Sequence, residues 1–153
     1  MKKIIALLLI AACVFSVACS GEKKLGCTVR ELMDKVCKVN AEGEMFSDDE
    51  DSLSDDWGID KALYTEGLFM IPKESAGVET VAFFVAKDAE SAKTVKAALD
   101  RYVKFTQVEQ KDYNADNYQV SLDAITVAEG VYAYLVMSPA KDAILKVIED
   151  NLK

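Results

Sequence analysis

Two apolar runs with no polar face constrain this 153-residue chain more than any other feature. In Thr80-Val-Ala-Phe-Phe-Val-Ala86, Val81, Phe83 and Val85 alternate with Thr80, Ala82 and Phe84. In residues 131–137, Val131, Ala133, Leu135 and Met137 alternate with Tyr132, Tyr134 and Val136. Successive side chains of a strand point to opposite faces, so a sheet built from these runs is apolar or aromatic on both sides. One layer of helices cannot cover such a sheet. Either a helix packs on each face, or one aromatic face stays open to a ligand or partner. Tyr132 and Tyr134 share a face with Phe83 or Phe84 according to register, and these four residues are the candidate ligand or partner surface. Packing is expected over most of that face, with the first helix as its cover and Tyr134 the more buried tyrosine. The two later helices are expected to share the opposite face.

The rest of the chain supplies those helices. Thr28-x-x-Glu31 is a capping box, with Cys27 and Leu32 at the two positions of a hydrophobic staple. Val29, Leu32, Met33, Val36 and Cys37 then follow the spacing of one apolar helix face. Residues 40–60 form an acidic connection in which Leu53 and Trp57 mark one short helical turn. Residues 62–71 and 78–86 read as a hairpin around a loop at residues 72–77. Asp88 caps a long helix with the stripe Ala92, Val95, Leu99, Tyr102, Val103 and Thr106, while Lys93, Lys96, Arg101 and Lys104 face water. Residues 112–117 break the pattern, and residues 124–127 and 131–137 form a second hairpin turning at Glu129-Gly130. Ser138-Pro139 reads as an N-cap with proline at the first helical position, opening a last helix with Ile144, Leu145, Ile148 and Leu152 on one face. The prediction is an α+β domain in the order α-β-β-α-β-β-α, with a four-stranded, mainly antiparallel sheet from two hairpins and three helices.

The start of the chain gives an address. Met1-Lys2-Lys3 precedes an apolar run over residues 4–18, shorter than the roughly 20 residues of a membrane-spanning helix. A basic start, a short apolar core and a small residue before the cut describe a secretory signal. Val17-Ala18-Cys19-Ser20 resembles the lipobox of bacterial lipoproteins, in which the cysteine thiol receives a diacylglyceryl group and becomes the mature N-terminus. The third residue before that cut is Ser16, where an aliphatic residue is usual, and Ile10-Ala11-Ala12-Cys13 fits that detail better. A cut before Cys13, however, leaves an apolar core of only about six residues, below the roughly 7–15 such a core needs. The expected division is therefore a signal at 1–18, a lipid-attached tether at 19–26 and one domain at 27–153. Cys13 and an unlipidated secreted form are the alternatives.

Without the signal, 16 of the 18 basic residues stand against all 26 acids, a balance of −10. That balance argues against nucleic acid, whose binding rests on neutralised phosphates, and leaves membrane attachment to the lipid. Cys27 and Cys37 are ten residues apart along one helix, about 15 Å of rise against the roughly 7 Å a disulfide spans, so two unbridged core thiols are expected.

Several longer stretches together carry a family resemblance. They are Trp57-Gly-Ile-Asp60, Val81-Ala-Phe-Phe-Val-Ala-Lys-Asp88, Ile125-Thr-Val-Ala-Glu-Gly-Val-Tyr132 and Leu135-Val-Met-Ser138, with the long helix ending near Tyr113. With these the chain resembles an uncharacterised family of short lipoproteins of Gram-positive anaerobes, a domain of unknown function numbered four-three-five-eight. It departs in two loops, lacking a proline-containing stretch after the long helix and an asparagine after the turn glycine. The resemblance implies an exported lipoprotein and carries no activity with it.

The chemistry is narrowed mostly by exclusion. No histidine occurs, which removes Ser-His-Asp and Cys-His nucleophile systems and His-ligated zinc. No P-loop, G-x-S-x-G or G-x-G-x-x-G occurs, and no cofactor is expected. Ser138-Pro-Ala-Lys141 fits S-x-x-K, yet no S-D-N or K-T-G accompanies it, so Ser138 reads as a helix cap. In the acidic run, an EF-hand frame starting at Asp49 places Leu53 at its fifth position and Ser54 where glycine is required; it reads as a solvated acidic loop, or else a weak divalent-cation site. Two functions survive: a non-catalytic module of the cell envelope that binds a protein, glycan or small ligand, and a small enzyme using paired carboxylates.

Overall fold

The structure, a computed structural model, describes residues 23–40, 44–73 and 77–153. Helix α1 (Val29–Val39) leads to a short strand β1 (Met45–Ser47) and helix α2 (Glu50–Trp57). A 3-10 turn at Lys61–Leu63 precedes strands β2 (Tyr64–Pro72) and β3 (Thr80–Ala86). Helix α3 (Ala89–Gln110) and helix α4 (Ala115–Leu122) follow, then strands β4 (Ile125–Glu129) and β5 (Tyr132–Met137) and helix α5 (Lys141–Asn151).

The strands form one antiparallel sheet in the order β1-β2-β3-β5-β4. The two predicted hairpins are joined through β3 and β5, the two runs without a polar face, and these take the centre, where both sides are covered. The sheet has five strands rather than the four expected, because β1 adds itself to the β2 edge through Met45↔Pro72 to Ser47↔Met70. The described residues hold five α-helices rather than three. The acidic connection folds into two turns as α2, and the segment after the long helix into α4.

Each helix start has a local cause. Thr28 and Glu31 form the reciprocal capping box at α1. Asp49, Asp88 and Asn114 accept backbone N–H groups at the starts of α2, α3 and α4. These side chains satisfy amides that the first turn leaves without carbonyl partners. Gly58, at φ 70°, ends α2 in the left-handed conformation that glycine adopts without steric cost. The last helix differs from its prediction. Its N-cap is Ala140, and Ser138 sits before it, accepting the Ala140 N–H at 3.0 Å within a turn.

Two cores lie on the two faces of the sheet. On one face Phe69, Ala82, Phe84, Ala133, Leu135 and Met137 pack against Ala92, Val95, Leu99 and Val103 of α3 and Leu53 of α2. On the other, Val81, Phe83, Tyr132, Tyr134 and Val136 pack against Val29, Leu32, Met33 and Val36 of α1 and Ile144 and Ile148 of α5. The last helix therefore joins α1, not α3. Phe69, Phe83 and Phe84 are wholly buried, each contributing about 2 kcal/mol by removal from water.

Candidate functional site

The aromatic residues singled out from the sequence divide between the two cores. Register places Phe83 opposite Tyr134 and Val85 opposite Tyr132, so Phe83 and the two tyrosines share a face while Phe84 lies on the other. Phe84 packs edge-on to Tyr64 at 5.0 Å under α3, which removes it from the candidate surface. Phe83 stacks on Tyr134 with centroids 5.7 Å apart and planes 8° from parallel, and Tyr132 lies 5.9 Å from the same ring. Helices α1 and α5 cover this group, leaving both tyrosines at 7% exposure, so neither is the more buried. Burial raises the Tyr134 hydroxyl above its ordinary pKa. The Tyr132 hydroxyl accepts the Leu25 N–H at 2.9 Å, fastening the segment before α1 to the sheet. These rings form the inner wall of a core.

The serine of the S-x-x-K match is committed to structure. Ser138 is buried and donates to the Asn40 Oδ1 at 2.7 Å. Asn40 ends α1, so this bond ties the end of α1 to the end of β5. Lys141 donates to the Asp123 carbonyl at 3.2 Å. Beside them runs a groove of about 410 Å³ between α4 and the start of α5, lined by Asp116, Gln119, Asp123, Pro139, Lys141 and Asp142 among others. Its three carboxylates are all exposed.

A surface that the sequence pattern passed over lies on α3. Phe105 and Val108 fall outside the apolar stripe of that helix and are 49% and 68% exposed. Trp57, from α2, meets Phe105 edge-on at 5.5 Å and Tyr102 at 4.7 Å, while Arg101 donates to the Trp57 carbonyl at 3.0 Å. Tyr102 in turn shares a 2.9 Å hydrogen bond with Thr80 on β3, and burial raises its hydroxyl pKa. The result is an apolar patch backed by a fixed aromatic chain running to the sheet. The spacing of Phe105 and Val108, three apart and off the buried stripe, was the signal available in the sequence.

The acidic run is spent on helix α2. Asp49 accepts the Ser52 N–H at 2.8 Å, which holds its carboxyl below the usual range, and Glu50 pairs with Lys61. Burial lifts the Asp48 carboxyl the other way. Among the described residues no group of three or more His, Cys, Asp or Glu could hold a metal ion.

Of the cysteines, Cys27 is half-buried, with its thiol 3.5 Å from Asn151 Oδ1, and Cys37 is exposed. Cys37 stands at the rim of the α1 stripe and faces water, so it is not the core thiol expected. The signal at 1–18 and both candidate lipidation sites, Cys13 and Cys19, lie outside the described residues. The first described residues contact the rest of the domain: Lys23 pairs with Glu129 at 2.9 Å, and Lys24 and Lys153 exchange two backbone hydrogen bonds. No helix among the described residues is long and apolar enough to cross a membrane.

Neither a curated protein nor a solved structure matches the chain. A family model described as "Domain of unknown function (DUF4358)" matches residues 38–138, a span that holds the whole five-stranded sheet, and the chain belongs to that family.

Proposed function

We propose that the protein is an exported lipoprotein, held at the outer face of the cell membrane by a lipid on Cys19, whose domain binds another molecule of the envelope and performs no catalysis. The observation that carries the reading is the order of parts at the N-terminus. Two lysines and a fifteen-residue, mostly apolar run that ends in Ala18 lead to Cys19, which stands only four positions ahead of Lys23, the first described residue, itself paired with Glu129. Two acyl chains on Cys19 would anchor the chain stably where one would not.

Binding is favoured over carboxylate chemistry by the surfaces available. A glycosidase-like pair needs two acids roughly 5–9 Å apart across a cleft, one of them with a raised pKa. The acids of the groove are exposed, whereas Phe105 and Val108 offer an apolar contact backed by Trp57. Crosslinking in intact cells compares wild type with a Phe105→Ser, Val108→Ser double variant. A crosslinked species present in wild type and lost in the folded variant is expected. An unchanged species would remove this patch from the proposal. For the anchor, wild type is expected to partition into detergent and Cys19→Ala to stay in water; a lipid-labelled Cys19→Ala would move the site to Cys13.

A further inference from the structure

We infer that the domain stands on the bilayer by one defined end, the end carrying the β4–β5 turn, and presents its groove and the exposed Tyr113 away from the lipid. This inference rests on the anchoring at Cys19 proposed above and adds the orientation. The emergence point is fixed by four independent contacts. Lys23 pairs with Glu129 in the β4–β5 turn, and Lys24 exchanges backbone hydrogen bonds with Lys153. Leu25 donates to the Tyr132 hydroxyl at 2.9 Å, and Gly26 donates to the Asn151 carbonyl at 2.9 Å. The chain cannot swing to another face without breaking them.

The reach from the lipid is short. Three residues separate Cys19 from Lys23, and the four Cα-to-Cα steps between the two span at most about 14 Å even when fully extended. The other end of the domain is much farther away. Ala86 donates to the Val131 carbonyl, which places the end of β3 beside the β4–β5 turn. From there α3 runs back across the sheet for 22 residues, about 33 Å at 1.5 Å per residue. It passes Thr80, at the far end of β3, through Tyr102, and reaches Ser121 of α4 through Gln107. Helix α1 makes the same journey on the other face, from Cys27 to the bond between Asn40 and Ser138. Tyr113, 81% exposed, and the groove beside Ser138 therefore lie at the end opposite the tether. A tether this short holds the near end against the headgroups and leaves the far end to meet a partner.

The test uses the full lipidated chain in phosphatidylcholine–phosphatidylglycerol vesicles carrying an energy-transfer acceptor on the headgroups. Donors are placed singly by Lys87→Cys at the near end or Tyr113→Cys at the far end, with Cys27→Ser and Cys37→Ser removing the other thiols. Both labelled positions are exposed. Transfer about twofold or more higher from residue 87 than from residue 113 is expected. Equal transfer, or more from residue 113, overturns the orientation. Intact mass of the same preparations reads the anchor separately. Absence of the lipid on Cys19 overturns the anchoring reading, while a lipid on Cys19 with equal transfer overturns the orientation alone.

Discussion

Truncating Tyr134 tests whether the aromatic face is core or open surface. The ring is 7% exposed, lies under α1 and α5, and stacks on the wholly buried Phe83 at 5.7 Å. Replacing a buried aromatic by alanine loses its transfer energy and leaves a cavity, which together cost about 3–5 kcal/mol. The hydroxyl edge keeps some contact with water, so the lower part of that range, about 3 kcal/mol, is expected for Tyr134→Ala. The stack itself supplies about 0.5–1.5 kcal/mol of this, beyond simple burial. With a urea slope near 2 kcal/mol/M, the unfolding midpoint should fall by about 1.5 M with the slope unchanged. Phe83→Leu alone and combined with Tyr134→Ala completes a double-mutant cycle, whose coupling should match the stacking contribution. A loss below about 1 kcal/mol in Tyr134→Ala would refute the packed face and return these rings to the list of partner surfaces.

Three further outcomes follow from the packing. Gly67→Ala should destabilise the domain by about 1–3 kcal/mol in the same urea assay, because a Cβ there would collide with the Phe84 ring, itself closed in by Tyr64. Ser138→Ala should cost about 1–3 kcal/mol by leaving the buried Asn40 side-chain carbonyl without its donor, and a loss near zero would mean that this contact does not hold the ends of α1 and β5 together. Hydrogen bonds from Ser52 and Ser91 lower the Asp49 and Asp88 carboxyl pKa values in the folded state, so their stabilisation is complete above the ordinary carboxylate range near 3.9 and drains away as pH falls through the lowered values. Asp48, raised by burial, acts in the opposite sense; the acid limb of the melting-temperature profile should therefore flatten in Asp49→Asn with Asp88→Asn and not in Asp48→Asn.

Legibility in the sequence followed the range of the interactions. The capping box at Thr28 and the cap at Asp88 are contacts between neighbours in the chain, and both formed where their residue types indicated. The alternation along β3 and β5 was equally local, and the faces it assigned to residues 80–85 and 132–137 are the faces observed, whereas Val131, ahead of β5 in the turn, packs with the tyrosines and not with Ala133. The features without a local pattern depend on distant partners. Met45-Phe-Ser47 has no strand pattern of its own and becomes β1 only because Met70 to Pro72 offer an open edge. Whether Phe83 or Phe84 joins the tyrosines depends on the β3–β5 register, set between strands some fifty residues apart in the sequence. The side taken by α5 is the one on which Ile144 and Ile148 share a core with α1, a partner more than a hundred residues away in the sequence. Helix α4 is the exception, since its cap, Asn114 accepting from Asp116 and Asn117, is local, yet its polar residues read as a break in the pattern. The candidate surface is the least legible feature: the residues with the strongest aromatic pattern are core, while the exposed apolar contact is made by Phe105 and Val108, whose residue types do not distinguish them from core residues.

The proposed lipid on Cys19 is what would hold this domain at the membrane. Intact mass spectrometry of the protein from a bacterial host, with sequencing of its N-terminal peptide, tests it most directly. A chain that begins at Cys19 and carries the added mass of a diacylglyceryl group on that residue is expected. A chain that begins at Cys13, retains residues 1–18, or starts at Cys19 without lipid would contradict it.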